Sequence, residues 1–385
     1  MAIRANPKLI DELVPYGAED VVKCYQCGNC SAVCPFSKQP YVFPRKPMRL
    51  LQMGLEEKIK SSIDPWLCYY CGQCSEQCPR EAEPGETMMS LRRWLTSRYD
   101  WTGISRLFYK SWRFEVGAVI LVALATVAGF LAFGFSQGSI HHYDGPHAFL
   151  PSPSIHIFDW TLAIVLLALL LSNAARMWWF TMGRDKEVKA PLSAYFTKAY
   201  LLPVHFFTQK RYSQCEHKAP WLTHLALMLS YVTMLVLIMF FLRDMAAGPA
   251  IDWHVHIFGY LATIGLIGSS ILFLRSRITK SSAQYKHSHE SDWIFLVLLL
   301  TVAATGILQH ILHRSGLDMA ANIMYVTHLA LVVPMLGLEV PFSKWSHLAY
   351  RPLAMYFADV RAVALARQGQ PESMPEPVGG GLRTA

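Results

Sequence analysis

Eight of the nine cysteines fall in two runs of one pattern, CYQCGNCSAVCP from Cys24 to Pro35 and CYYCGQCSEQCP from Cys68 to Pro79. Both read C-x2-C-x2-C-x3-C-P, and only Cys215 stands apart. Cysteines this close in sequence are poor disulfide partners and good metal ligands. Three thiolates two residues apart wrap one face of an iron–sulfur cubane, and the fourth, just before a proline, reaches a second cubane. The spacing therefore assigns Cys24, Cys27, Cys30 and Cys78 to one [4Fe-4S] cluster, and Cys68, Cys71, Cys74 and Cys34 to the other. Gly28 and Gly72 allow the tight turns that aim backbone N–H groups at sulfide. Zinc is the competing reading, but zinc sites draw on two cysteine pairs rather than a triplet and a Cys-Pro.

Histidine is the second abundant ligand type, with 15 in the chain. Many sit in or beside long apolar runs, where an ionisable group is expensive and points to function. Two histidines on one haem b iron are the obvious use. By depth, His224 and His347 pair at one end of the apolar region. His328 lies nineteen residues before His347, roughly 28 Å along a helix, far enough to serve a second haem on the opposite side. His256 is the favoured partner for His328, with His310 next; His254, His313 and His156 are further outer-side candidates. His141, His142 and His147, in the loop SIHHYDGPH, are read as solvated or proton-handling. His205, His217, His287 and His289 are read as solvated, and Cys215 as a structural thiol.

Two kinds of element must position these ligands. Residues 1 to about 113 are rich in Cys, Pro, Lys and Arg. There KPMRLLQMGLEEKIK and PGETMMSLRRWL read as helices, from apolar residues such as Met48, Leu51, Leu55 and Ile59 at helical spacing. Beyond them, six segments lack Asp, Glu, Lys and Arg for long enough to span or nearly span a bilayer: 116–143, 160–175, 219–242, 253–274, 293–313 and 319–338. The net charge is +8, which fits a membrane surface better than nucleic acid once these runs are seen, so no nucleic-acid partner is expected. Lys and Arg concentrate in the connections 176–218 and 275–291, against only Arg243 and Arg314 in the opposite loops. By the positive-inside rule both termini and the cysteine domain face the cytoplasm, whose reducing conditions suit free thiols. Segment 190–212 is too polar to span and reads as an interfacial piece. The expected domains are 1–110, 111–360 and a disordered tail at 361–385.

The cysteine half resembles the α-helical ferredoxin domain found in the C subunit of heterodisulfide reductase and in the iron–sulfur subunits of succinate dehydrogenase, through both cysteine runs, MRLLQMG and WLCYYCGQC. In the apolar half, VTHLALVVPMLGLEVPFSKWSHLAYRP resembles the last helix of the gamma subunits of respiratory nitrate reductase and of the E subunit of heterodisulfide reductase. WLTHLALMLSY resembles their helix carrying the other proximal ligand. This resemblance supports His224 with His347 for the proximal haem and His328 for the distal one. The sequence departs from the nitrate reductase pattern at Met234, ten residues after His224, where that family has its other distal ligand.

Together the halves are similar to the C subunit family of the quinone-modifying oxidoreductase complexes of sulfate reducers. The fold so implied is all-α: a cytoplasmic dicluster ferredoxin domain followed by a six-helix transmembrane cytochrome b bundle in the inner membrane. The resemblance implies two [4Fe-4S] clusters, haem b in two copies, and menaquinone as the lipid-soluble carrier. Its partners would be the A and B flavoproteins of such a complex, which resemble the flavoprotein of heterodisulfide reductase, and adenylylsulfate reductase. Other heterodisulfide-reductase-like complexes, linked to dissimilatory sulfite reductase or a hydrogenase, remain alternatives, as do a membrane-anchored iron–sulfur sensor and a zinc-binding membrane scaffold. No dinucleotide fingerprint, P-loop or Cys-Cys pair is present, so no catalytic residue is assigned. His310, His313 and Asp318 on the outer side and Lys344 or Arg351 on the inner side are quinone-site candidates.

Overall fold

The computed structural model describes residues 4–136, 152–184, 189–246 and 253–367. His141, His142, His147 and the tail from Gln368 onward lie outside the described residues. Helices dominate, and among the described residues there is no strand, only an isolated bridge between Lys38 and Tyr41. The chain divides into two compact units. The first contains residues up to Arg92 together with 175–206 and the chain from Ala349. The second contains 93–174 and 207–348.

In the first unit short helices alternate with tight turns. Each cysteine run opens on extended backbone, turns at glycine, and enters one turn of helix: Asn29–Ala32 after Gly28 and Gln73–Glu76 after Gly72. Those glycines have φ of 91° and 90°, the left-handed region that L side chains avoid. The helix expected over KPMRLLQMGLEEKIK is two helices, Arg45–Gln52 and Glu56–Lys60. Gly54 breaks it, with φ of 67° and its backbone so close to Asn6 that a Cβ would overlap the Asn6 carbonyl. The core is built on Leu9, Leu13, Met48, Leu51, Ile59 and Trp66, all essentially fully buried. The helix expected from PGETMMSLRRWL is present as Pro84–Tyr99.

Residues far away in sequence complete this unit. Trp66 packs against Tyr350 with ring centres 5.2 Å apart, and the Tyr69 hydroxyl lies 3.3 Å from the Met355 sulfur. His205 bonds Asp359 at 3.2 Å, so this histidine, read as solvated, is held by a buried carboxylate. The segment 190–212 forms two short helices, Leu192–Thr197 and Leu201–Thr208. The last helix, His347–Arg367, runs past the expected tail boundary at 361.

Six helices are long and apolar enough to cross a membrane: Trp112–Phe133, Ser154–Gly183, Ala219–Phe241, Trp253–Thr279, Glu290–Arg314 and Asp318–Phe342, called here the first to sixth spans. The third packs on the fourth, the fourth on the fifth, the fifth on the sixth and the sixth on the first. Their shared core centres on Leu296, Leu299, Val302, Met335 and Trp345. Gly265 lets the fourth span approach the third so closely that a Cβ there would overlap Ser230, the small-residue contact that membrane helices favour. Outward residues such as Leu121, Ile164, Leu167, Phe240 and Ile264 are exposed and apolar, a surface suited to lipid. Thr126, Thr161 and Thr263 return their hydroxyls to carbonyls four residues earlier, which satisfies them without water.

Candidate functional site

In the first unit the turns bring one triplet of cysteines to the fourth cysteine of the other run. Cys24, Cys27, Cys30 and Cys78 line one pocket of about 340 Å³, open mouth included, beside Arg45. Cys34 has left its own run and interacts electrostatically with Cys68 and Cys71, while Cys74 senses Cys68, Cys71 and Cys34. The Asn29 amide donates to the Gln77 carbonyl at 2.5 Å, tying one run to the other at the crossover. Backbone N–H groups two residues on donate to sulfur in both runs, Gln26 to Cys24 at 3.4 Å and Tyr70 to Cys68 at 3.3 Å.

Cys30, Cys34 and Cys68 are poorly placed to ionise alone. Burial, reinforced by neighbouring Cys24, pushes the Cys30 thiol up to about 11. Burial and Cys68 push Cys34 up to about 12. Burial raises Cys68 too, opposed by Arg92 and Arg351. Thiolates gathered around one space need a cation among them, and iron is the cation their spacing fits. Among the described residues no three His, Cys, Asp or Glu converge as ligands of one ion. Cubane ligands each hold a different iron and need no common point, so the donor set fits two cubanes. Arg92 donates to the carbonyls of Pro65, at 2.6 Å, and Cys68. Arg351 reaches the Cys68 carbonyl at 3.2 Å and lies over the Tyr69 ring. Sequence reading missed Arg92; its signal was a buried arginine among apolar helix positions.

In the second unit the rings of His224 and His347 lie 6.0 Å apart with planes at 57°. Two imidazoles bound end-on to one metal, at about 2 Å per bond, place their ring centres roughly 6 Å apart. His224 Nδ1 meets Gln209 Oε1 at 2.9 Å, and His347 Nδ1 meets the Lys344 carbonyl at 2.5 Å. Each ring is thus oriented through Nδ1, the outer-shell arrangement of metal-ligating histidines. The pair fits a haem iron. Gln209 was not foreseen, and nothing in its sequence context marks it.

Three of the other histidines gather at one end of the bundle. His256 faces His310, with ring centres 5.7 Å apart. The Tyr260 hydroxyl bonds His310 Nε2 at 2.8 Å, and His256 Nε2 is buried without a partner. His328 is held at Nδ1 by Thr305 Oγ1 at 3.0 Å and lies flat on Gly306, where a Cβ would come within 3.0 Å of its ring. Gly306 is one helical turn before His310, so the three histidines share one end of the bundle. Met234 packs into the apolar core. Of the inner quinone candidates, Lys344 is paired with Asp292 at 2.5 Å and Arg351 serves the Cys68 loop. His313 Nδ1 is buried without a partner.

Known proteins match the cysteine half. Residues 20–82 match the 4Fe-4S dicluster domain family. A protein of Archaeoglobus profundus, described as like the C subunit of heterodisulfide reductase, is 34% identical over 93 residues, 24% of this chain and 48% of that protein. One CoB--CoM heterodisulfide reductase iron-sulfur C subunit of Methanocaldococcus jannaschii is 35% identical over 95 residues, 23% of this chain and 50% of that protein. The corresponding C subunit of Methanopyrus kandleri is 36% identical over 70 residues, 16% of this chain and 36% of that protein. The chain spans about half the length, or less, of the curated relatives it matches. The cysteine half is therefore similar to the iron–sulfur C subunit of heterodisulfide reductase, and the six apolar helices lie outside that likeness.

Proposed function

We propose that the chain is the membrane electron-transfer subunit of a heterodisulfide-reductase-like complex, relaying electrons between the menaquinone pool and cytoplasmic flavoprotein partners. Two [4Fe-4S] clusters, held by Cys24, Cys27, Cys30 and Cys78 and by Cys68, Cys71, Cys74 and Cys34, carry single electrons in the first unit. Haem b, held by His224 and His347, would supply one-electron chemistry in the bundle. A second haem draws on His328, with His256 or His310 opposite it. The quinone carries two electrons and two protons, and the protein's part is to orient its carbonyls and move protons through side chains such as His310. The observation that carries the reading is the union in one chain of crossed cysteine sets and a histidine pair at metal-bridging separation, His224 in the first turns of the third span and His347 just past the end of the sixth. The flavoprotein partners, resembling that of heterodisulfide reductase, and delivery to adenylylsulfate reductase rest on the sequence resemblance, as does placement of the cysteine domain and both termini in the cytoplasm.

The names of the relatives favour a second reading within the class, membership of a complex whose soluble partner is another reductase. The test is an optical and EPR titration of the purified, detergent-solubilised chain, with iron and haem quantified, followed by a menaquinol analogue. About eight non-haem irons, two haems and quinol-reducible haem bands per chain are expected. A protein with clusters and no haem would overturn the relay and leave an anchored iron–sulfur protein.

A further inference from the structure

Two carboxylates lie inside the apolar bundle at the end that carries His347. Glu115 is in the first turn of the first span and Glu339 near the end of the sixth, and both are 0% exposed. Their side chains meet. Ser343 Oγ donates to Glu115 Oε1 at 2.5 Å and lies beside Glu339 as well; beyond Ser343 and each other, Glu115 Oε2 and both Glu339 oxygens have no hydrogen-bond partner. Cations stand nearby but are engaged elsewhere. Lys344, Arg93 and Arg277 all turn to Asp292, at 2.5, 3.5 and 3.6 Å. Asp292 and Glu290 of the fifth span and Tyr109 before the first also face the pair. Two adjoining carboxylates without a cation in a low-dielectric bundle cannot both be charged, so they share a proton.

The backbone supplies an independent observation. Residues Met335–Glu339 form a π-helical turn between Pro334 and Pro341. Such turns are rare and concentrate at functional sites, and this one ends on Glu339. From the pair the chain continues through Ser343, whose carbonyl accepts from Ser346 Oγ at 2.8 Å, directly into His347. An ionisable residue inside a membrane helix is functional by default, and this pair has no other role in the relay.

We propose that Glu115 and Glu339 form a shared-proton carboxyl pair that takes up one proton when an electron arrives at the centre held by His224 and His347, and releases it when the electron leaves. Charge balances: one electron from the quinol reduces that centre and one proton from water protonates the remaining carboxylate, and both leave on reoxidation. The inference rests on the haem reading above. The experiment uses the full chain with haem content measured first, and the variants Glu115→Gln and Glu339→Gln, which mimic the protonated acid and preserve packing. The midpoint potential of the His224–His347 haem should fall by about 59 mV per pH unit, the signature of one proton per electron, and become pH-independent in the Glu115→Gln/Glu339→Gln double variant. Infrared spectra of the oxidised wild type should show a protonated-carboxyl C=O band that the double variant lacks. An undiminished pH slope in the double variant, or no carboxyl band lost, overturns the proposal while leaving the haem reading intact. Absence of haem overturns the haem reading and the coupling together.

Discussion

The crossing of the cysteine sets can be tested by counting iron in paired variants. Cys78 belongs by sequence to the second run, yet it lines the pocket of Cys24, Cys27 and Cys30. Cys34 belongs to the first run, yet its neighbours are Cys68 and Cys71. Alanine is the right replacement, because a serine oxygen can itself ligate iron. With about four irons per complete set and about eight per chain, Cys24→Ala/Cys78→Ala removes two ligands from one set and leaves roughly four irons. Cys24→Ala/Cys34→Ala takes one ligand from each set and leaves few or none. If each run instead held its own cluster, the two results would exchange. Iron and acid-labile sulfide analysis reads the count, and EPR of the reduced protein shows whether the surviving cluster keeps its wild-type signal. Roughly four irons in Cys24→Ala/Cys34→Ala together with none in Cys24→Ala/Cys78→Ala would refute the crossed assignment.

Four further outcomes follow from the geometry. His224→Ala and His347→Ala should each remove the same haem, about one per chain, and the double variant should remove no more; a second haem lost in the double would separate the pair. Arg92→Gln takes a buried cation from the Cys68 loop, so the cluster of that loop should become harder to reduce, by roughly 30–60 mV in an EPR potentiometric titration, with the other cluster unmoved. Burial pulls the Lys344 ammonium down from 10.5 to about 8 against the opposing pull of Asp292. The folded protein then releases this proton before the unfolded chain does, so Lys344 contributes stability that rises with pH between about 8 and 10.5. Thermal unfolding in detergent across that window checks the sign, and Asp292→Asn should cost roughly 3–5 kcal/mol at neutral pH by stranding buried cations.

The turns of the cysteine runs were legible because ligand spacing within a run is a local property. Three thiols at x2 intervals and a Cys-Pro fix both the turn and the glycine it needs, and Gly28 and Gly72 adopt the positive φ that this requires. The six spans were legible from hydropathy, but their ends were not. Delimiting a span by the absence of charge places its boundary at the first acidic residue, so Glu115 and Glu339 fell just outside the expected segments 116–143 and 319–338. In the structure both are buried within helices that run past them. The break at Gly54 was hidden because apolar periodicity continues across it; the left-handed turn there packs against the Asn6 backbone, distant in sequence. Gln209, and the contact of Arg351 with the Cys68 loop, became visible only in three dimensions, since each bonds a group distant in sequence.

One rule connects the three buried anionic sites. A group of negative charges taken out of water must be neutralised by something brought to it, and the choice reveals the chemistry. Asp292 is met by Lys344, Arg93 and Arg277, fixed cations that cannot leave, so it is a structural anchor at the start of the fifth span. The cysteine sets have arginines only at their edges, Arg45 beside the first and Arg92 and Arg351 at the Cys68 carbonyl of the second, fewer than the thiolates each set gathers. Four thiolates per set call for a multivalent partner, which iron supplies and which can change charge by one. Glu115 and Glu339 are met by neither a fixed cation nor a metal-ligand set. The remaining neutraliser small enough for two adjoining oxygens is a proton, the one partner of the three that can exchange with water as electrons come and go. The sites in this chain that lack a permanent counter-charge are thus the ones suited to moving charge.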